Sequence, residues 1–190
     1  MFARFFQKRQ SDMIWLRHDT AFRNASGDPE LQWVFLLLMI EAARTHKYCS
    51  RTLSAVANTQ REGHPEDLIH WRNIFNKTIA LSSSASQLLH AYDKAPSNKE
   101  REALKKIIAM QAAKDEEKSS RCTLFGRRDA SLWQMYIYGI DTAINHKDLA
   151  FARWAVAGLA THVTDGKSQM ELENRHVRVR DLAAKLEETS

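Results

Sequence analysis

Apolar residues recur along this chain at spacings of three and four, the rhythm of one face of a helix, and no strand-length stretch alternates apolar and polar positions convincingly. The first such stretch covers about 2–24 and puts Phe2, Phe5, Phe6, Met13, Leu16 and Phe22 in register. Ser26-Gly27-Asp28-Pro29-Glu30 then reads as a helix start. Asp28 is the N-cap, Pro29 takes the first helical position, and Glu30 suits the positive end of the helix dipole. The pattern predicts a second helix from there to about Gln60, bent or frayed after His46, where Thr, Tyr, Cys and Ser cluster. Its run Trp33–Ile40 is apolar on every side, which predicts a helix buried all round.

The same punctuation, Gly63-His64-Pro65-Glu66-Asp67, opens a third helix carrying Leu68, Trp71, Phe75 and Ile79, then Leu88 and Leu89. Its middle, residues 81–87, is rich in serine. It is read as a small-residue helical stretch that admits a close neighbour, because apolar spacing resumes beyond it. Ser97-Asn98-Lys99-Glu100 is a capping box for a fourth helix with a narrow stripe: Leu104, Ile107, Ile108 and Met110 or Gln111. The charged run Lys114–Lys118 marks this helix as the most solvated of the molecule. Arg121–Arg128 reads as a loop. Asp129 can cap the next helix, Ser131–Ile144, and a polar turn, Asn145–Asp148, leads into Leu149–Ala160. These two form a tight hairpin in which Ala155 and Gly158 leave room for close backbone approach. Thr164-Asp165-Gly166 stops that helix, and Ser168–Glu188 is a last, charge-laced amphipathic segment. The expectation is one all-α domain over 1–190, a bundle of six to seven mostly antiparallel helices. The Trp33–Ile40 helix and the 131–163 hairpin form its centre, and 166–190 is a peripheral C-terminal helix.

Composition supports this reading. Six Gly and three Pro in 190 residues are few, so elements should be long. Cys49 and Cys122 make no disulfide framework, the chain start lacks a continuous apolar leader, and the longest apolar run is the eight residues Trp33–Ile40. A membrane span needs about 20. Together these point to reduced thiols and a cytoplasmic protein. The net charge is +5, and its distribution is uneven. Residues 96–128 hold nine Lys and Arg against five acids, whereas 129–165 hold two against four.

Candidate chemistry is sparse. The aromatic hairpin could grip a peptide, but aromatics at helical spacing belong more often to a core. Glu173-Asn174-Arg175-His176 has the Glu-x-x-His spacing of di-iron bundles, Asp67-Leu68-Ile69-His70 echoes it poorly, and Glu41 sits in an apolar helix. The polar surroundings of Glu173 and His176 argue for a solvated face. His46-x-x-Cys49 and Cys122 lack zinc partners at usable spacing. No Gly-x-Ser-x-Gly elbow or phosphate loop occurs, and Arg17-His18-Asp19 stands without any further kinase element. Phe2, Phe5 and Phe6 beside Arg4, Lys8 and Arg9 could rest in a membrane interface, though a tucked-in first turn is the commoner outcome.

The sequence therefore favours a non-enzymatic protein-interaction, adaptor or regulatory module, with no catalytic residue, metal or cofactor and with another protein as partner. Its candidate surface is Lys105, Lys106, Lys114, Arg121, Arg127 and Arg128, with the C-terminal helix as a further contact face. The alternative is a basic helical nucleic-acid binder using residues 99–128, although the interspersed acids weaken its field.

Overall fold

The computed structural model describes residues 2–59, 61, 64–122 and 130–189, with side chains described for 10, 12–59, 61, 64–120 and 131–189. Among these residues the chain is all-α. Its helices are α1 (Phe2–Asn24), α2 (Pro29–Ala42), α3 (His46–Asn58), α4 (Glu66–Ala80), α5 (Ala85–Asp93), α6 (Asn98–Cys122), α7 (Ala130–Asn145), α8 (Leu149–Ala160) and α9 (Gly166–Glu187). No helix among the described residues is long and apolar enough to cross a membrane.

Nine described helices replace the expected six or seven because two predicted long helices each break in the middle. The first break is at Ala43–Thr45. Ala43 and Thr45 are both extended, and buried Ala43 turns the backbone out of α2 before Thr45 starts α3. The second is the serine stretch, which ends α4 instead of continuing it. The Ser82 hydroxyl donates to the Thr78 carbonyl (2.9 Å) and the Ser84 hydroxyl accepts from the Gln87 amide (3.4 Å). Serine side chains here take backbone partners that an unbroken helix would have kept for itself.

The helices fall into two compact units. One comprises Met1–Ser83 and His90–Glu100, and the other Ser84–Leu89 and Arg101–Ser190, so α5 contributes its first turns to the second unit and its last to the first. In the first unit α1 lies along α2, and α3 along α4. Trp15 is fully buried. It stacks on Tyr48 with ring centroids 4.5 Å apart and donates its indole N–H to Thr52 Oγ1 at 2.9 Å. Leu36, Met39, Ile40, Leu53, Ile74 and Tyr92 belong to this core.

The second unit is organised around the predicted α7–α8 hairpin. The Asp148 side chain caps α8 by accepting from the Phe151 amide (3.0 Å). Lys147 occupies the left-handed region at φ 56°, and the Asp148 amide reaches back to the Ala143 carbonyl at 2.8 Å, the pattern of a helix C-terminus closed by a left-handed residue. Gly139 meets Ala155 and Leu89, and Gly158 receives the Tyr136 ring, so small residues do set the helix separation as their spacing implied. In α9, Asp165 and Ser168 form a reciprocal capping box, and Arg175 and Arg178 both bond Asp141 of α7. The Asp129 cap expected for α7 lies outside the described residues.

Candidate interaction surfaces

The apolar run Trp33–Ile40 of α2 is not buried all round. Trp33, Leu36, Met39 and Ile40 face the core, whereas Val34 is 51% and Leu38 40% exposed, and Leu31 is exposed beside them. Leu31, Val34 and Leu38 are spaced three and four apart and so share one outward stripe. The expected all-round burial is corrected here, because only one side of α2 has neighbours within its unit. Beside the stripe, Ile14 and His18 of α1 join Leu38, Glu41, Ala42 and Arg44 to line an open groove of about 270 Å³.

One clamp fixes the start of α2. The Arg61 guanidinium lies 4.9 Å over the Trp33 ring and donates to Glu30 (2.6 Å) and to both oxygens of Asp67 (3.2 and 3.0 Å). Asp67 is 1% exposed, a buried carboxylate answered by a bidentate arginine. Asp67 bonding, partly offset by burial and joined by Glu30, pushes the Arg61 pKa above its ordinary range. His64, Glu66 and Asp67 are close enough to suggest metal ligands, but the Asp67 oxygens are already engaged by this cation. Glu173 and His176, the other pair with metal spacing, are exposed on α9, where Glu173 accepts from Gln169.

The α6 helix is seated differently. Among its described side chains only Leu104, Ile108 and Ala112 are fully buried, one residue per turn. Flanking them is a ladder of polar contacts. Lys105 donates to Glu102 (2.6 Å) and to Asp148, the N-cap of α8. Asp115 accepts the Ala85 amide at the start of α5 (2.9 Å) and the Gln111 side chain (2.9 Å). The Tyr136 hydroxyl donates to Glu116, and His162 Nε2 stands 3.8 Å from the same carboxylate. Burial opposes the Lys105 charge, yet bonds to Asp148 and Glu102 outweigh it and raise its pKa. Burial, followed by the Glu116 bond and charge, raises the Tyr136 pKa. Asp115 and Glu116 thus belong to the inner flank, not to a uniformly solvated acidic run.

The structure therefore sorts the predicted basic residues. Lys105 is turned inward and paired, while Lys106 and Lys114 are exposed on the outer face with Lys118. Between them stand Ile107, 45% exposed, and Met110, 64% exposed, so Ile107 is no part of the buried stripe to which its spacing assigned it. The Arg121 side chain and the whole of Arg127 and Arg128 lie outside the described residues, as do the side chains of Phe2, Phe5, Phe6 and Cys122. On α9, Met170 and Val177 form a smaller outward apolar pair.

Among the described residues of the first unit, histidine and serine meet at one place. His90 Nε2 is 3.2 Å from Ser54 Oγ and 3.3 Å from the Ser50 carbonyl. His46 Nε2 is buried without a partner among the described residues, and burial, then the nearby His90, lowers its pKa. Cys49 is fully buried, and burial pushes its thiol pKa up, which disfavours the reactive thiolate. Among known proteins, the sequence matches no family model, and neither a curated protein nor a solved structure proved similar to it.

Proposed function

We propose that this protein is a non-enzymatic interaction module whose principal docking surface is the outward stripe of α2 with the adjoining α1 groove. One observation carries the reading: α2, whose run Trp33–Ile40 is wholly apolar, keeps Leu31, Val34 and Leu38 in contact with solvent. Helices of that composition are ordinarily covered on all faces. The occupant that fits is a partner helix laying its own apolar residues along the three-and-four spacing, with Glu41 and Arg44 able to fix its direction at one end of the groove.

An enzymatic reading has less support, since the polar clusters described above are engaged in helix seating. Nucleic acid is the weaker binding alternative: Lys105 is held by two carboxylates, and Lys106, Lys114 and Lys118 enclose apolar side chains. The test is site-specific photo-crosslinking in the cells that make the protein. A benzophenone side chain at position 34 or 38 should yield a protein adduct of discrete mass, and the same probe at exposed Asn76 of α4 should not. Equal labelling from both positions, or none from either, would count against this surface.

A further inference from the structure

The outer face of α6 is a second surface, and its charge says what it takes. Every charge on the inner flank that seats the helix has its counterpart: Lys105 with Glu102 and Asp148, Asp115 with the Ala85 amide, Glu116 with Tyr136. Lys106, Lys114 and Lys118 by contrast make no ion pair or hydrogen bond among the described residues. Along the helix axis they frame an apolar window formed by Ile107 and Met110, with Ala103 and Ala113 exposed beside them. Positions 103, 107, 110 and 114 follow the four-three spacing of one half of a two-helix seam. At 1.5 Å per residue, the span 103–118 is about 22 Å long, enough for some four turns of a partner.

We propose that this face binds an acidic amphipathic helix of another protein, with its apolar residues on Ile107 and Met110 and its carboxylates on Lys106, Lys114 and Lys118. A phosphate backbone is the poorer match. It would cover two large apolar side chains with no apolar counterpart of its own. Methionine suits the proposed role, because its unbranched side chain adapts to varied apolar partners. This surface is separate from that of α2, so either assignment can fail while the other stands.

The experiment uses the full chain labelled with ¹³C at its methionine methyls, which makes Met110 the reporter and exposed Met13 and Met170 the controls. The probe is a synthetic helix of about five turns with leucine at four-three spacing and glutamate on both flanks. Its counterpart carries lysine in place of each glutamate, and a random-sequence DNA duplex serves as the third arm. The acidic helix should shift Met110 saturably and leave Met13 and Met170 in place. Raising the salt from low to half-molar should weaken that binding about tenfold, because the lysines are exposed and readily screened. Lys106→Glu with Lys114→Glu should weaken it at least as much. Equal binding of the two peptides would reduce the surface to unselective apolar contact and overturn the proposal. A Met110 shift with duplex but not with the acidic helix would replace it with nucleic-acid binding, and no shift with any probe would dismiss it.

Discussion

Both α2 and α6 hold large apolar side chains in solvent, yet they are anchored by opposite means. The inner side of α2 is a continuous apolar wall of Trp33, Leu36, Met39 and Ile40, with one arginine clamp at its start. The inner side of α6 offers a single narrow stripe and owes the rest of its position to Lys105, Asp115 and Glu116. Exposure of an apolar residue therefore has a different meaning in each. On α2 it is surplus hydrophobicity left after the core is filled. On α6 it is a choice of apolar residues where the helix otherwise carries charge, since Ile107 and Met110 are not needed to hold it in place.

The comparison breaks most sharply at α2. Leu36→Ala should destabilise the first unit by about 3 kcal/mol, from lost transfer energy and a residual cavity. Leu38→Ser, two residues further along the same helix, should stay within about 0.5 kcal/mol, as surface substitutions usually do. Chemical denaturation of the two variants measures both, and similar losses would mean that the outward stripe is part of the core after all.

A smaller effect is expected from the polar ladder of α6. Tyr136→Phe removes a hydrogen bond to a carboxylate while keeping the ring, at a cost of about 1.5 kcal/mol. Amide hydrogen exchange should speed up in α6 and remain unchanged in α2. Acceleration in α2 of the same size would contradict separate modes of seating.

The smallest effect is in the response to pH, where the two regions should part at opposite ends of the scale. His46 in the first unit has a lowered pKa, so its neutral form is favoured by folding. That contribution is present above the unfolded value near 6.5 and is lost as the pH falls below it. Lys105 and Tyr136 have raised pKa values. Their contributions are complete below the unfolded values of about 10 and fade as the pH climbs beyond them. Hydrogen exchange followed from acid to alkali should show α3 loosening first on the acid side and α6 first on the alkaline side. His46→Gln should flatten the acid limb alone.

How much of this was legible in the sequence depended on how local its causes were. The α7–α8 hairpin could be read nearly in full, because the Asp148 cap and the small residues Ala155 and Gly158 act on their own neighbourhood. The break after Ala80 was missed because serine can either sit in a helix or withdraw backbone partners from it, and only the Ser82 and Ser84 contacts decide which. The Arg61–Asp67 pair was invisible for a related reason. Asp67 looked like an acid favouring a helix start, and nothing in its spacing disclosed that it would be buried under a cation six residues earlier. For α6 a signal was available. Asp115 lies seven residues after Ile108 and so falls in phase with Leu104, Ile108 and Ala112, which assigns it to the inner flank whatever its charge. The outward exposure of α2 had a signal too: Glu30 and Glu41 are in phase with Val34 and Leu38, but the unbroken apolar run between them hid which side would be covered.

Gly158 gives the contrast between the two helices a further edge. A methyl group at that position would lie 2.2 Å from the Tyr136 ring, closer than the two can coexist. The ring would have to move, and its hydroxyl would leave the carboxylate that steadies α6. The smallest side chain in the molecule thus acts at a distance through a rigid aromatic lever: an alteration of one carbon on α8 would be felt two helices away. Variation at 158 should therefore be tolerated only in company with a smaller residue at 136, and the pair should be inherited as one character.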